Sequence, residues 1–460
     1  MSGIISSDEA EHHQESSNNM HNSKWVIDVK EKLDKSNEVD EWKKICIYGI
    51  PVCVKDLNRK AFKPQAVSFG PYHHGDSHLK QMEEHKHRSL LYFLKRSNKP
   101  IQSYMDALHR VGKHLVDSYD WFDEASDDYR DQYGNYTDQF LQLMMLDGCF
   151  MLEILRTATN TSDDYVSNDP IFSSHGKLNI MPYVRRDTLM LQNQLPMLLM
   201  DTLLAVENGG KPKEEEFLNK IIVKFYTQNM LTRSLGKCLH VVDVYRKNLL
   251  QEPRHKVLHQ THSHRNDETV ESSFDIIRSA RELYETGIRF KTSKTANLTD
   301  ISFRGGVLRL PEILVDDTTE STFLNLMAYE RFHVGEGSEA TAYIFFMDRI
   351  IDSAKDVSLL HSKGIIKNAL GSDKEVAKLF NELSKDVAPD DSLDHVHKEV
   401  SDYCKMKWNE WRANLVHTYF RSPCAVLSVL AATFLMALTI IQTVYAIHPA
   451  SPLPGPPPST

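Results

Sequence analysis

The run Gln139–Arg156, QFLQLMMLDGCFMLEILR, decides the fold class. It is apolar almost all round over a helical length, which marks a helix buried on every side in a multi-helix body. Asp147 is the informative exception, because a carboxylate there needs a cationic or hydrogen-bonding partner to stay charged. Arg185–Leu204, RRDTLMLQNQLPMLLMDTLL, reads as a second apolar helix. Pro196 removes one intrahelical bond and is expected to kink or restart it, with the amides of Gln192, Asn193 and Gln194 bonding the backbone groups left free.

Outward from these helices, Trp25–Lys44 has the charge alternation of an amphipathic surface helix with Val26, Val29 and Leu33 as its stripe. Ile45–Val54 is β-branched and broken by Gly49 and Pro51, so an extended, buried segment is expected. Phe62–Gly75, FKPQAVSFGPYHHG, is punctuated by Pro64, Gly70, Pro71 and Gly75 and reads as a chain of turns. In the helix after it, Met82, His85, Ser89/Leu90 and Phe93 mark one face, and Lys80, Glu83, Glu84, Lys86, Arg88 and Lys95 supply charge. Arg278–Phe290 is helical in pattern and stops at Gly287. Ser302–Val315 alternates after Gly305-Gly306 as a strand or short hairpin does. Phe323–Phe332, Tyr343–Leu360, Lys374–Ser384 and His395–Arg412 read as helices. Asp123–Thr137 and Asn160–Lys177 read as exposed loops, and the His-rich Leu250–Ser272 as a long exposed loop or boundary.

The C-terminal run Cys424–Ile447 carries no charge and includes Phe434 and Gln442. As a helix it is about 36 Å long at 1.5 Å per residue, against a hydrocarbon core of about 30 Å. A membrane span is the expected reading. Lys405, Lys407, Arg412 and Arg421 precede it and no Lys or Arg follows, so the positive-inside rule puts the body in the cytosol and the C-terminus outside or in a lumen. The plasma membrane and the endomembranes both fit. The chain then divides into a disordered tail (1–23), a mainly helical domain (24–410), a juxtamembrane segment (411–423), the span (424–447) and a Pro-rich tail (448–460). The expected fold class is mainly α, with a few short strands and one transmembrane helix.

Composition limits function. A formal charge of −9 argues against nucleic-acid binding, which needs a basic face to displace phosphate counterions. The six cysteines contain no CxxC pair, which argues against a zinc knuckle or a dithiol redox site. Met1–Ser23 has no apolar core and is not a secretory signal.

The cluster Tyr72, His73, His74, Gly75 and Asp76 invites a metal or catalytic reading. It lacks the spacing of HExxH, and adjacent His73 and His74 cannot easily face one ion. The preferred reading is a structural turn whose imidazoles bond carbonyls and acids such as Asp147; no metal and no cofactor is expected. Asp147 with Arg185 or Arg186 reads as a buried ion pair before it reads as a catalytic acid with its partner. No GxSxG, GxxxxGK[ST] or GxGxxG occurs.

Several segments in order resemble the plant domain of unknown function 247 family: VSFGPYHHG with MEEHKHR (Val67–Arg88), MLDGCFMLEILR (Met145–Arg156), LMLQNQLP (Leu189–Pro196), RSARELYETGIRFK with FRGGVLRLPEI (Arg278–Ile313), FLNLMAYE (Phe323–Glu330) and the C-terminal span. The resemblance implies Tyr-Arg-Val-Pro where Tyr48-Gly49-Ile50-Pro51 stands, an acid where Gln192 stands, and Asn-Pro where Ser422-Pro423 stands. The first two differences each lack a charge. The resemblance implies no agreed enzyme activity or cofactor. Some similar grass proteins are implicated as pollen-side determinants of self-incompatibility, which implies recognition. The expected function is a membrane-anchored, non-enzymatic recognition or scaffold protein with an unidentified protein partner. The alternative is a membrane-tethered enzyme using His73, His74 and Asp76. Tyr72, His73, His74, Asp147, Asn193, Gln194 and Pro196 are the candidate structural or interaction residues.

Overall fold

Helices carry most of the chain in this computed structural model, which describes residues 45–56, 58–120, 137–159, 164–214, 216–227, 233–251, 278–385, 391–406 and 423–447. The expected N-terminal tail, the Trp25–Lys44 helix, the Asp123–Tyr136 stretch and nearly all of the His-rich loop lie outside those residues.

The N-terminal half packs around α3 (Asp138–Arg156), which Thr137 caps through the Phe140 N–H. Every residue from Leu143 to Leu155 is buried, as the unbroken apolar pattern requires. Around it lie α1 (Lys80–Ser97), α2 (Ile101–Val116), α4 (Met181–Asp187), α5 (Met197–Glu207) and α6 (Phe217–Thr227). Gly148 lets α5 approach closely, since a Cβ there would stand 2.6 Å from Leu203 Cδ1.

The C-terminal half has its own buried cluster. It comprises α7 (Val241–Leu249), α8 (Ala280–Glu285), α9 (Thr319–Phe332), α10 (Glu339–Ile350), α11 (Ala354–Ser362), α12 (Asp373–Leu383) and α13 (Asp394–Lys405). Five short strands accompany them: β1 (Arg289–Thr292), β2 (Ser302–Arg304), β3 (Val307–Leu310), β4 (Ile313–Val315) and β5 (Ile366–Asn368). β2 and β3 form the expected hairpin, and Gly305 and Gly306 (φ +56° and +73°) supply the two left-handed residues its tight turn demands. β1 pairs parallel to β3, and β4 parallel to β5.

Four expectations are corrected. Arg185–Leu204 is not one helix: α4 ends at Asp187, Thr188–Leu195 is a buried run of turns, and α5 starts after Pro196. Pro196 forces Leu195 out of the helical region, and side chains rather than a helix satisfy the backbone before it. Tyr343–Leu360 is likewise two helices, because Ser353 and Asp356 form a capping box that starts α11 afresh. Ile45–Val54 is extended and buried only as far as Ile50, beyond which Val52–Lys55 is an exposed or half-exposed helical turn. The expected exposed loop Asn160–Lys177 contains buried Asp169, Ile171 and Phe172.

The last helix, α14 (Pro423–Ile447), contains Cys424, Phe434, Gln442 and Ile447. Its stretch Leu430–Ile447 is long and apolar enough to cross a membrane, and none of it is buried against the protein.

Candidate functional site

The turn-rich segment Gln65–Gly70 runs through the N-terminal core, where Val67, Ser68, Phe69 and Gly70 are buried. An irregular backbone there has no helix or sheet to satisfy its polar groups, and each unpaired one would cost about 1–3 kcal/mol. Side chains from three other elements do that work. Asp187, the last residue of α4, accepts the N–H groups of Gln65 (2.9 Å), Ala66 (2.6 Å) and Val67 (3.1 Å) on one oxygen. Asn193 accepts the Phe69 N–H at 2.6 Å and donates to the carbonyls of Val67 and Asp187, both at 3.0 Å. Asp147 accepts the Gly70 N–H at 2.8 Å.

The other Asp147 oxygen receives Lys86 Nζ at 2.7 Å, and both side chains are fully buried. Lys86 also reaches Ser68 Oγ (3.1 Å) and Glu83 (2.8 Å). Burial pushes the Asp147 carboxyl above the usual carboxylate range, and the Lys86 ammonium and the Gly70 N–H oppose that shift. Burial likewise raises Asp187, against the three backbone donors and Arg186.

Gln194 completes the frame. Its amide donates to the carbonyls of Thr188 (2.7 Å) and Met190 (2.8 Å), its Oε1 accepts the Val242 N–H (3.1 Å), and its own carbonyl accepts Tyr119 Oη (3.1 Å). It therefore ties the turn before α5 to the start of α7. Gly70 fits only as glycine: φ is +70°, and a Cβ would meet Tyr119 Oη at 2.7 Å and the Gln194 carbonyl at 3.0 Å.

Asp147, Asn193, Gln194 and Pro196 thus converge on one buried frame, while the Tyr72–Asp76 turn lies at its end. Tyr72 Oη donates to the Asp120 carbonyl, and its ring packs edge-on against Tyr119. His73 lies 3.5 Å from Asp76, and its hydrogen bond holds that carboxyl below its usual range. His74 stays partly buried in the same turn. The expected contact of these imidazoles with Asp147 is corrected, because Asp147 is filled by Lys86 and Gly70. The expected partner arginines are corrected too: Arg186 bonds Asp187 and the Lys60 carbonyl, and Arg185 lies 4.8 Å over the Phe225 ring.

Lys86 does not belong to the charged face of its helix, contrary to expectation. Met82, Lys86, Ser89 and Phe93 form the buried stripe of α1. The spacing carried the signal, since 82, 86, 89 and 93 follow i, i+4, i+7, i+11. Asp187 gave no such signal, because its role depends on the helix ending at that residue.

A second frame, buried at Arg246 and Glu330 and open at Glu336 and Glu339, locks the C-terminal half. Arg246 of α7 bonds Glu330 (2.8 Å), Glu336 (2.9 Å), Glu339 and the Gly337 carbonyl. Glu330 in turn accepts the N–H groups of Ala340 and Thr341 at the start of α10. These charges are spent on joining helices.

Among the described residues, no three His, Cys, Asp or Glu side chains are grouped to hold a metal ion. Burial pushes the thiols of Cys46 and Cys238 up to about 12 and raises that of Cys149, so none of these is a ready thiolate at neutral pH.

A mainly helical body on buried polar frames, with one long apolar helix at its C-terminal end, is the class of protein these features define. The chain belongs to the plant family DUF247, whose model, described as "Plant protein of unknown function", matches residues 47–438. It is 32% identical to the UPF0481 protein At3g47200 of Arabidopsis thaliana, over 87% of this chain and 86% of that protein. It is 22% identical to the putative UPF0481 protein At3g02645 of the same plant, over 91% of this chain and 94% of that one. No solved structure matches it.

Proposed function

We propose that this chain is a membrane-anchored, non-enzymatic recognition or scaffold protein, with its body in the cytosol and its C-terminus outside or in a lumen. The observation that carries this reading is the use made of its buried polar residues. Asp147, Lys86, Asp187, Asn193 and Gln194 are engaged by backbone, by one another or by neighbouring side chains such as Ser68, Glu83 and Arg186. The His73–Asp76 contact is a local bond within one turn, three residues apart. The unburied apolar helix α14 supports the anchor, and the basic residues before it support the orientation. The net charge favours a protein partner over nucleic acid. Self/non-self recognition in self-incompatibility is one role such a protein would fill.

The test is crosslinked co-purification of the full chain from the native membrane. One reproducible protein partner is expected; recovery of none across replicates sinks the reading. Protease added to sealed vesicles should digest the body, and a shielded body would refute the orientation.

A further inference from the structure

On the C-terminal half, two open hollows of about 340 and 440 Å³ lie side by side and share Asp352 and Ser353. The first is framed by α8 and the start of α11, and the second runs along α12. Lys374, Lys378 and Lys385 stand along that second hollow over a buried Ala377 floor, and Lys355 stands in the first.

Most of the acids here are already engaged. Asp356 accepts the N–H groups of Ser353 and Arg281 and the Ser353 hydroxyl. Glu285 pairs with Arg281 at 3.1 Å, and Glu382 lies 3.9 Å from Lys378. Lys355, Lys374 and Lys385 have no carboxylate within ion-pair distance among the described residues, and Asp352 is the one acid of the trough whose carboxylate has no such tie. A trough with spare positive charge on a chain of net charge −9 is complementary to an acidic partner.

We propose that this trough docks an acidic, extended segment of a partner protein. The proposal rests on the recognition reading above and names where recognition occurs. Lys374 to Lys385 span about 16 Å at 1.5 Å per residue, which matches about five residues of extended chain. Carboxylates, or phosphates on the same segment, would meet Lys374, Lys378 and Lys385 in turn, with Lys355 at the trough's end.

The probe is fluorescein-labelled hexaglutamate, titrated by anisotropy against the full chain in nanodiscs. Binding that weakens with salt is expected, and it should fall by about tenfold or more in Lys374→Glu/Lys378→Glu/Lys385→Glu. These side chains are exposed, so the variant should keep its melting temperature. The control Lys95→Glu/Lys99→Glu/Lys113→Glu, equally exposed and on α1, the turn after it and α2, should change affinity less than about twofold. Equal losses in the two variants, or no binding to the wild type, would overturn the proposal. So would the Lys374/Lys378/Lys385 variant losing affinity for anionic vesicles but not for the peptide. If that variant still recovers the wild-type partner from native membrane, the trough is wrong and the recognition reading stands. If the wild type recovers no partner, the recognition reading itself fails.

Discussion

Lys86 Nζ of α1 and Asp147 Oδ1 of α3 meet at 2.7 Å, and neither side chain is reached by solvent. Removing one partner from such a pair strands a buried charge, which typically costs about 3–5 kcal/mol. Lys86→Met and Asp147→Leu should each lower the urea midpoint accordingly. The two losses should be comparable: Lys86→Met strands the Asp147 carboxylate, whereas Asp147→Leu orphans the Gly70 N–H but leaves Lys86 its Glu83 contact at 2.8 Å.

Neighbouring amides should behave oppositely. Asn193→Ala orphans the Phe69 N–H and the carbonyls of Val67 and Asp187, a loss of about 3 kcal/mol. Gln192 is just as buried, yet its Oε1 has no hydrogen-bond partner. Gln192→Leu should therefore stay within about 1 kcal/mol of wild type or gain stability. A large loss there, in the same denaturation series, would refute this account of the turn.

Gly70 and Gly75 both have positive φ, at +70° and +86°. Only Gly70 also lacks room, with Tyr119 Oη 2.7 Å from the Cβ site, while nothing lies within 4 Å of that site at Gly75. Gly70→Ala should cost more than about 2 kcal/mol and Gly75→Ala about 1 kcal/mol, measured by thermal melts.

His240 gives a pH dependence with a definite sign. Its Nε2 bonds the Cys46 carbonyl at 2.9 Å, and its Nδ1 accepts the Asp243 N–H at 3.3 Å to cap α7. Burial, chiefly, depresses its pKa to about 4 from the ordinary 6.5, although nearby Asp243 and the Cys46 carbonyl pull the other way. The unfolded chain then binds the proton first, so this contribution is complete above about pH 6.5 and is lost as the pH falls toward 4. The loss is about 3 kcal/mol at most. Asp147 and Asp187, with raised values, act in the opposite direction, so the comparison that isolates His240 is wild type minus His240→Asn. Equal pH profiles for the two would refute the assignment.

Much of the fold was legible in the sequence, and the reason is period. The all-round apolar run of α3 and the Gly-Gly hairpin between β2 and β3 carry their structure locally. So does the charge-free α14. The restart after Pro196 was legible from the proline, but the stop at Asp187 and the break at Ile351–Ser353 were not, because apolar content continues through both and capping by distant or hydroxyl side chains decides them. β1 and β5 were missed for a related reason: four and three residues carry little pattern, and their parallel partners lie far along the chain. Within the site, Asp147, Asn193 and Gln194 stood out as polar groups in apolar surroundings. Lys86 did not, since a lysine among Glu, His and Arg looks solvated until its register is counted.

The most direct test that these motif residues hold the fold rather than perform chemistry is the double variant Lys86→Met/Asp147→Asn. Its stability and partner recovery would be measured beside each single variant. The amide that replaces the Asp147 carboxylate would keep an acceptor for the Gly70 N–H while both buried charges disappear together. The expected result is a double variant at least about 2 kcal/mol more stable than the sum of its singles, recovering the same partner from native membrane as the wild type. A double variant as stable as wild type that recovers no partner would contradict a purely structural role.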